Sequence, residues 1–242
     1  MLHARIHVLS LVMAAALIGL PAPVAADAGG KPVIAPIGSQ PAGQSYGRWA
    51  AAWWQWVLGV PGDVSPLLDD TGASCAERQI GDVWFLSGTW LGVPVERTCE
   101  IPAGKALFFP LINNAWLGFL TDPPEQRTEE FARSMAACTE PADIEVWIDG
   151  RKVANPTRFF TGRELSGSPV FNVQMPPENV LALLGYAIEE IPEWVLSPCA
   201  EQGYYLFVHK LAPGTHTIEW TATGCTSGSE QVISYRLHVL EE

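Results

Sequence analysis

The chain has 242 residues, with 14 Lys and Arg set against 26 Asp and Glu for a net charge of −12. That acidity argues against nucleic acid and anionic lipid as partners, because like charges repel. The length admits one large all-β domain or two small ones, and the five cysteines form no Cys-x-x-Cys pair that would point to a redox motif or a zinc knuckle.

In chain order, Met1 to His7 carries Arg5 as its only fixed cation, and Val8 to Leu20 is an apolar run broken by Ser10 and Gly19. Pro21 and Pro23 end that run, and Val24-Ala25-Ala26 offers the small side chains a signal peptidase accepts. This layout predicts a cleavable signal peptide over residues 1–26, cut near Ala26-Asp27, and a secreted or periplasmic destination. The run falls short of the ~20 apolar residues of a spanning helix, so no membrane partner is expected for the mature form. Cleavage removes Arg5 and no acid, which moves the charge from −12 to −13.

Outside the cytoplasm, cysteines pair by default. Cys75 and Cys99 are the favoured pair, and closing their loop contributes about 3 kcal/mol in the chain-entropy treatment. Two of Cys138, Cys199 and Cys225 are expected to form a second bridge, leaving one thiol.

Residues 27–44, rich in Gly and Pro, read as a disordered leader, with a single domain over 45–242. Ser45 then caps a helix whose Tyr46, Trp49, Trp53, Trp56 and Val57 share one face. Strand signals follow in Asp82–Leu86 and Ala106–Ile112, and in the alternation of Ile144, Val146 and Ile148. Asp149-Gly150 predicts a tight hairpin turn. Asp122 before Pro123-Pro124-Glu125 predicts a capped helix, and Glu178–Leu184 a shorter one.

Val170–Met175 alternates as a strand. Tyr204–Leu211 and His216–Ala222 flank a four-residue loop and read as an antiparallel hairpin, and Gln231–Leu240 adds a last strand. The whole predicts a mainly β fold: an antiparallel, jelly-roll-like β-sandwich with an N-terminal Trp-rich helix and short inserted helices.

Several segments resemble an uncharacterised family of bacterial exported proteins: Tyr46-Gly47-Arg48-Trp49 with Trp53-Trp54-Gln55-Trp56, Gly81–Leu86, Arg97–Lys105 with Leu107–Pro110, and Gly203-Tyr204-Tyr205 with Leu211–Ile218. The resemblance implies export and a shared β-rich fold. It brings no activity with it.

No motif specifies a reaction, and no catalytic residue, metal ligand or cofactor is assigned. The three histidines of the mature chain, His209, His216 and His238, specify no third ligand for a metal. The tryptophans carry the main chemical signal, since indole rings stack on sugar faces and donate a hydrogen bond. Trp49, Trp53 and Trp56 have the spacing of a buried stripe. Trp54, Trp90, Trp116 and Trp147 lie off it and are the binding candidates, joined by Asn113 and Asn114, whose amides suit sugar hydroxyls or a turn.

The expected function is a non-catalytic binding module for a glycan or another envelope ligand. A polysaccharide hydrolase using a carboxylate pair from Asp63, Asp69, Asp70, Glu77 and Asp82 is one alternative. A structural or assembly protein of the envelope, displaying the loop tryptophans as one apolar patch, is the other.

Overall fold

A computed structural model describes residues 32–162 and 167–241. The expected signal peptide lies outside the described residues. The chain forms nine strands and three α-helices among them: β1 Val83–Phe85, β2 Val95–Ile101, β3 Ala106–Phe119, β4 Glu140–Ile148, β5 Arg151–Lys152, β6 Phe171–Gln174, β7 Val195–Val208, β8 Gly214–Cys225 and β9 Glu230–Val239, with α1 Tyr46–Gly59, α2 Glu129–Met135 and α3 Val180–Leu183. One sheet has the order β1-β3-β7-β6 and the other β2-β9-β8-β4-β5. The mainly β sandwich is therefore the fold, although β1–β3 and β2–β9 are parallel pairs within it.

The two layers meet through aromatic side chains. Phe109 of β3 stands 5.3 Å from Trp220 of β8, and the Trp220 indole donates to the Leu111 carbonyl at 3.0 Å. This polar tip lets a large ring be buried without an unpaired N–H. Helix α1 covers the first sheet. Ser45 caps it by accepting from Arg48 N, and Trp53 and Val57 are fully enclosed. The Tyr46 hydroxyl donates to Ala35 O and accepts from Phe207 N, which fixes the helix to β7.

Three local expectations are corrected. The leader expected to be disordered is held in place from residue 32 onward. Ile34 bridges Val208, Ala35 N donates to Phe207 O, and Ala35 is buried. Gly and Pro permit irregular backbone there, but backbone pairing with β7 supplies the order.

Tyr204–Leu211 and His216–Ala222 do not form a hairpin. β7 pairs with β3 and β6, while β8 pairs with β4 and β9. Along 204–208 the second edge of β7 is taken by bridges from Ile34 and Phe160, both edges of β8 are paired, and the intervening loop crosses between sheets. Asp122 does not cap the expected helix either. Its Oδ2 accepts from Phe119 N, and α2 begins later with Thr128 as its cap.

The Asp149-Gly150 turn forms as expected, with positive φ at both residues and Trp147 opposite Lys152. Cys75–Cys99 is bonded, and the second bridge is Cys138–Cys225. Cys199 is left as a buried thiol. Burial pushes its pKa up to about 12, against a lowering contact from the Gly118 backbone. Two disulfides indicate folding in an oxidising compartment, and no described helix is long and apolar enough to cross a membrane.

Candidate functional site

Beyond Phe108, β3 loses its partner on the β1 side, because β1 pairs only with residues 106–108. The chain leaves β1 through the segment 86–92, and the turn joining β8 to β9 approaches from the other sheet. Between them lies a cavity of about 390 Å³. Its walls include Trp54, Trp90, Asn113 and Asn114, with Glu230 and Gln231 from the far side. Four of the six residues singled out from sequence are therefore brought together.

The rim of the cavity is held by polar contacts. Gln231 forms a two-point contact with Thr89, its Oε1 accepting from Thr89 N at 2.9 Å and its Nε2 donating to Thr89 O at 3.0 Å. Trp53 donates its indole N–H to Leu86 O at 2.9 Å. Below them Arg97, 2% exposed, donates to the carbonyls of Pro66, Asp69, Ser87 and Gly88 and to the Tyr235 hydroxyl. Among the described residues no carboxylate accepts from this guanidinium. A converging set of carbonyls and one hydroxyl satisfies it instead, and so draws two loops onto β2. The Cys138–Cys225 bridge anchors the opposite side, just before the turn at Thr226.

The Asn113 amide lies against buried chemistry. Its Nδ2 donates to the Tyr205 hydroxyl at 2.9 Å, and that hydroxyl donates to Glu201 Oε2 at 2.7 Å. Gly203, paired with Asn113 across the sheet, makes room for this amide: a Cβ there would come within 2.4 Å of the Asn113 Cβ. Glu201 is 3% exposed, and its Oε1 has no hydrogen-bond partner among the described residues. Burial raises its pKa to about 7, opposed by the Tyr205, Ser168 and Thr161 hydroxyls. Tyr205 is pushed well above its ordinary value, by burial first and by Glu201 second. The Trp54 indole N–H lies close enough to favour ionisation of that hydroxyl without meeting hydrogen-bond geometry.

The candidates occupy different settings. Trp54 is 5% exposed and packs edge-on against Trp53, 5.1 Å between centroids, so it is part of the core as well as of the cavity wall. Trp90 is 39% exposed at the rim. Adjacent strand residues point to opposite faces, and Asn114 accordingly turns its amide to Met135 O and Ala137 O on the α2 side. Trp116 lies on that side too, packed edge-on against Phe131, and is not among the cavity residues. Trp147 is on the second sheet with the Lys152 ammonium 5.2 Å from its ring. Trp54, Trp90, Trp116 and Trp147, which belong to α1, a loop, β3 and β4, therefore do not make a single apolar patch.

The acids expected as a catalytic pair are placed elsewhere. None of Asp63, Asp69, Asp70, Glu77 or Asp82 lines the cavity. Asp69 is spent on the loop that follows it, accepting from Thr71, Gly72 and Ser74 N–H groups. Its partial burial would raise its pKa, but these hydrogen bonds outweigh burial and hold it below the ordinary value. His216 is likewise engaged at both ring nitrogens, by Asp149 Oδ2 and Ala212 O, each at 2.9 Å.

Gln231, Glu230, Arg97, Tyr205 and Glu201 are the site residues that sequence reasoning missed. Only Glu201 carried a signal, an acid three residues ahead of the apolar run 204–208. No protein-family profile matches this sequence, and no similar curated protein or solved structure was found.

Proposed function

We propose that this protein is an exported binding module, its signal peptide cleaved near Ala26-Asp27, that holds a glycan in the cavity between segment 86–92, the β3 edge and the β8–β9 turn. One observation carries this reading. Trp90 stands partly exposed at the rim of a cavity walled by Asn113, Asn114, Glu230 and Gln231. A flat apolar ring beside convergent polar groups suits the alternating apolar and hydroxyl surfaces of a sugar. The braced rim supports it further, since a preformed site loses less entropy on binding.

A hydrolase working through two carboxylates gains less support. Glu230 is the only carboxylate among the described residues lining the cavity, and general acid and base or nucleophile must both reach one bond.

The test is titration of the purified mature protein with a broad glycan panel, followed by tryptophan fluorescence. Saturable quenching or a blue shift that disappears in Trp90→Ala is the expected result. A flat response across the panel would remove the glycan reading.

A further inference from the structure

We infer that the saccharide accepted here presents hydroxyl and ammonium groups, and that acidic sugars are disfavoured, because Glu230 is the only charged side chain among the described residues lining the cavity. The inference rests on the glycan reading and adds to it the chemical sense of the ligand.

Several polar side chains at the cavity are already engaged, while the Trp54 indole N–H, which lines it, has no hydrogen-bond partner among the described residues. Asn114 gives its Nδ2 hydrogens to Met135 O and Ala137 O. Gln231 gives its Nε2 hydrogens to Thr89 O and Glu230 O. The Thr89 hydroxyl donates to Leu67 O, and the Trp53 indole to Leu86 O. Asn113 commits one Nδ2 hydrogen to Tyr205, which is itself oriented by donating to Glu201. One hydroxyl of the Thr226–Ser229 pair donates to the other, which keeps its own hydrogen. The Asn113 amide keeps a second Nδ2 hydrogen as well as its carbonyl oxygen, so it can both donate to and accept from a sugar hydroxyl.

The charges agree in sign. Among the described residues no Lys, Arg or His lines the cavity, and Glu230 is exposed. The backbone along the β3 edge supplies N–H and C=O groups in alternation, so it adds no preference of sign. A sugar carboxylate or sulfate would meet Glu230 without a cation to offset it, in a protein whose net charge is already −12. A sugar ammonium would pair with Glu230. An exposed pair of this kind is worth up to about fivefold in affinity.

The experiment compares β-linked oligomers of glucose, glucosamine with its free amine, and glucuronate, all of one length, by tryptophan fluorescence at low and high salt. Glucosamine oligomers are expected to bind up to about fivefold more tightly than glucose oligomers at low salt, and glucuronate oligomers more weakly than glucose by a similar factor. Glu230→Gln should bring the first two together, as should high salt. Glucuronate binding as tightly as glucosamine, or a preference that survives Glu230→Gln, overturns the inference and leaves the glycan reading standing. Silence for all three oligomers and for the wider panel overturns both.

Discussion

The Tyr205 hydroxyl donates to Glu201 Oε2 at 2.7 Å inside β7, four residues apart on the same face of one strand. A carboxyl enclosed there is held near pKa 7 by burial, far from its ordinary 4.5. Between those values the folded protein keeps a proton that the unfolded chain has released. Stability should therefore fall as pH rises from about 4.5 to about 7 and level off above, by up to roughly 3 kcal/mol. Urea unfolding midpoints measured across that range should show the slope, and Glu201→Gln should flatten it. A slope unchanged in the variant would disprove the assignment to Glu201.

Arg97 organises the rim from below. Replacing it by Met removes the donors to four carbonyls and the Tyr235 hydroxyl while keeping much of the apolar volume. Acceptors left buried without partners cost about 1–3 kcal/mol each before relaxation. We expect a net loss of roughly 3–5 kcal/mol in chemical denaturation, the range found when a buried charged network is broken. A loss under about 1 kcal/mol would mean that water replaces the guanidinium without penalty.

Trp54 and Trp90 line the same cavity but differ in burial, at 5% and 39% exposed. Trp54→Ala should cost about 3–5 kcal/mol of stability, as large-to-small core changes do. Trp90→Ala should leave the thermal midpoint within a few degrees of the parent while abolishing the glycan response. Equal destabilisation by both substitutions would assign Trp90 to packing.

Cys199 is enclosed and its thiolate is disfavoured, with the pKa raised to about 12. An aromatic disulfide reagent at pH 8 should leave the native protein unlabelled, because the thiolate is the reacting species. Unfolding without reductant should release one reactive thiol per chain, since Cys75–Cys99 and Cys138–Cys225 stay closed. Rapid labelling of the native protein, or three thiols after unfolding, would contradict this arrangement.

Much of the secondary structure was legible in local pattern. The α1 stripe, the Asp149-Gly150 turn and the alternation of Ile144, Val146 and Ile148 each depend on neighbours within a few residues, where side-chain periodicity is set by backbone geometry. The same locality explains the mistaken hairpin. A four-residue loop between two strands looks alike whether the strands pair or pass to separate sheets, and only the competing partners β3, β6, β4 and β9 decide.

The sequence by itself determined that apolar and aromatic side chains recur at strand and helix spacing, and which residue types could serve a ligand. Tertiary structure alone decided that Trp90 and Asn113 meet Gln231 from more than a hundred residues away, and that Glu201 is shut from water behind them. Periodicity is a property of a few adjacent residues. Burial, donor commitment and pKa depend on every segment that closes around a side chain, and those segments are brought together only by the folded sheets.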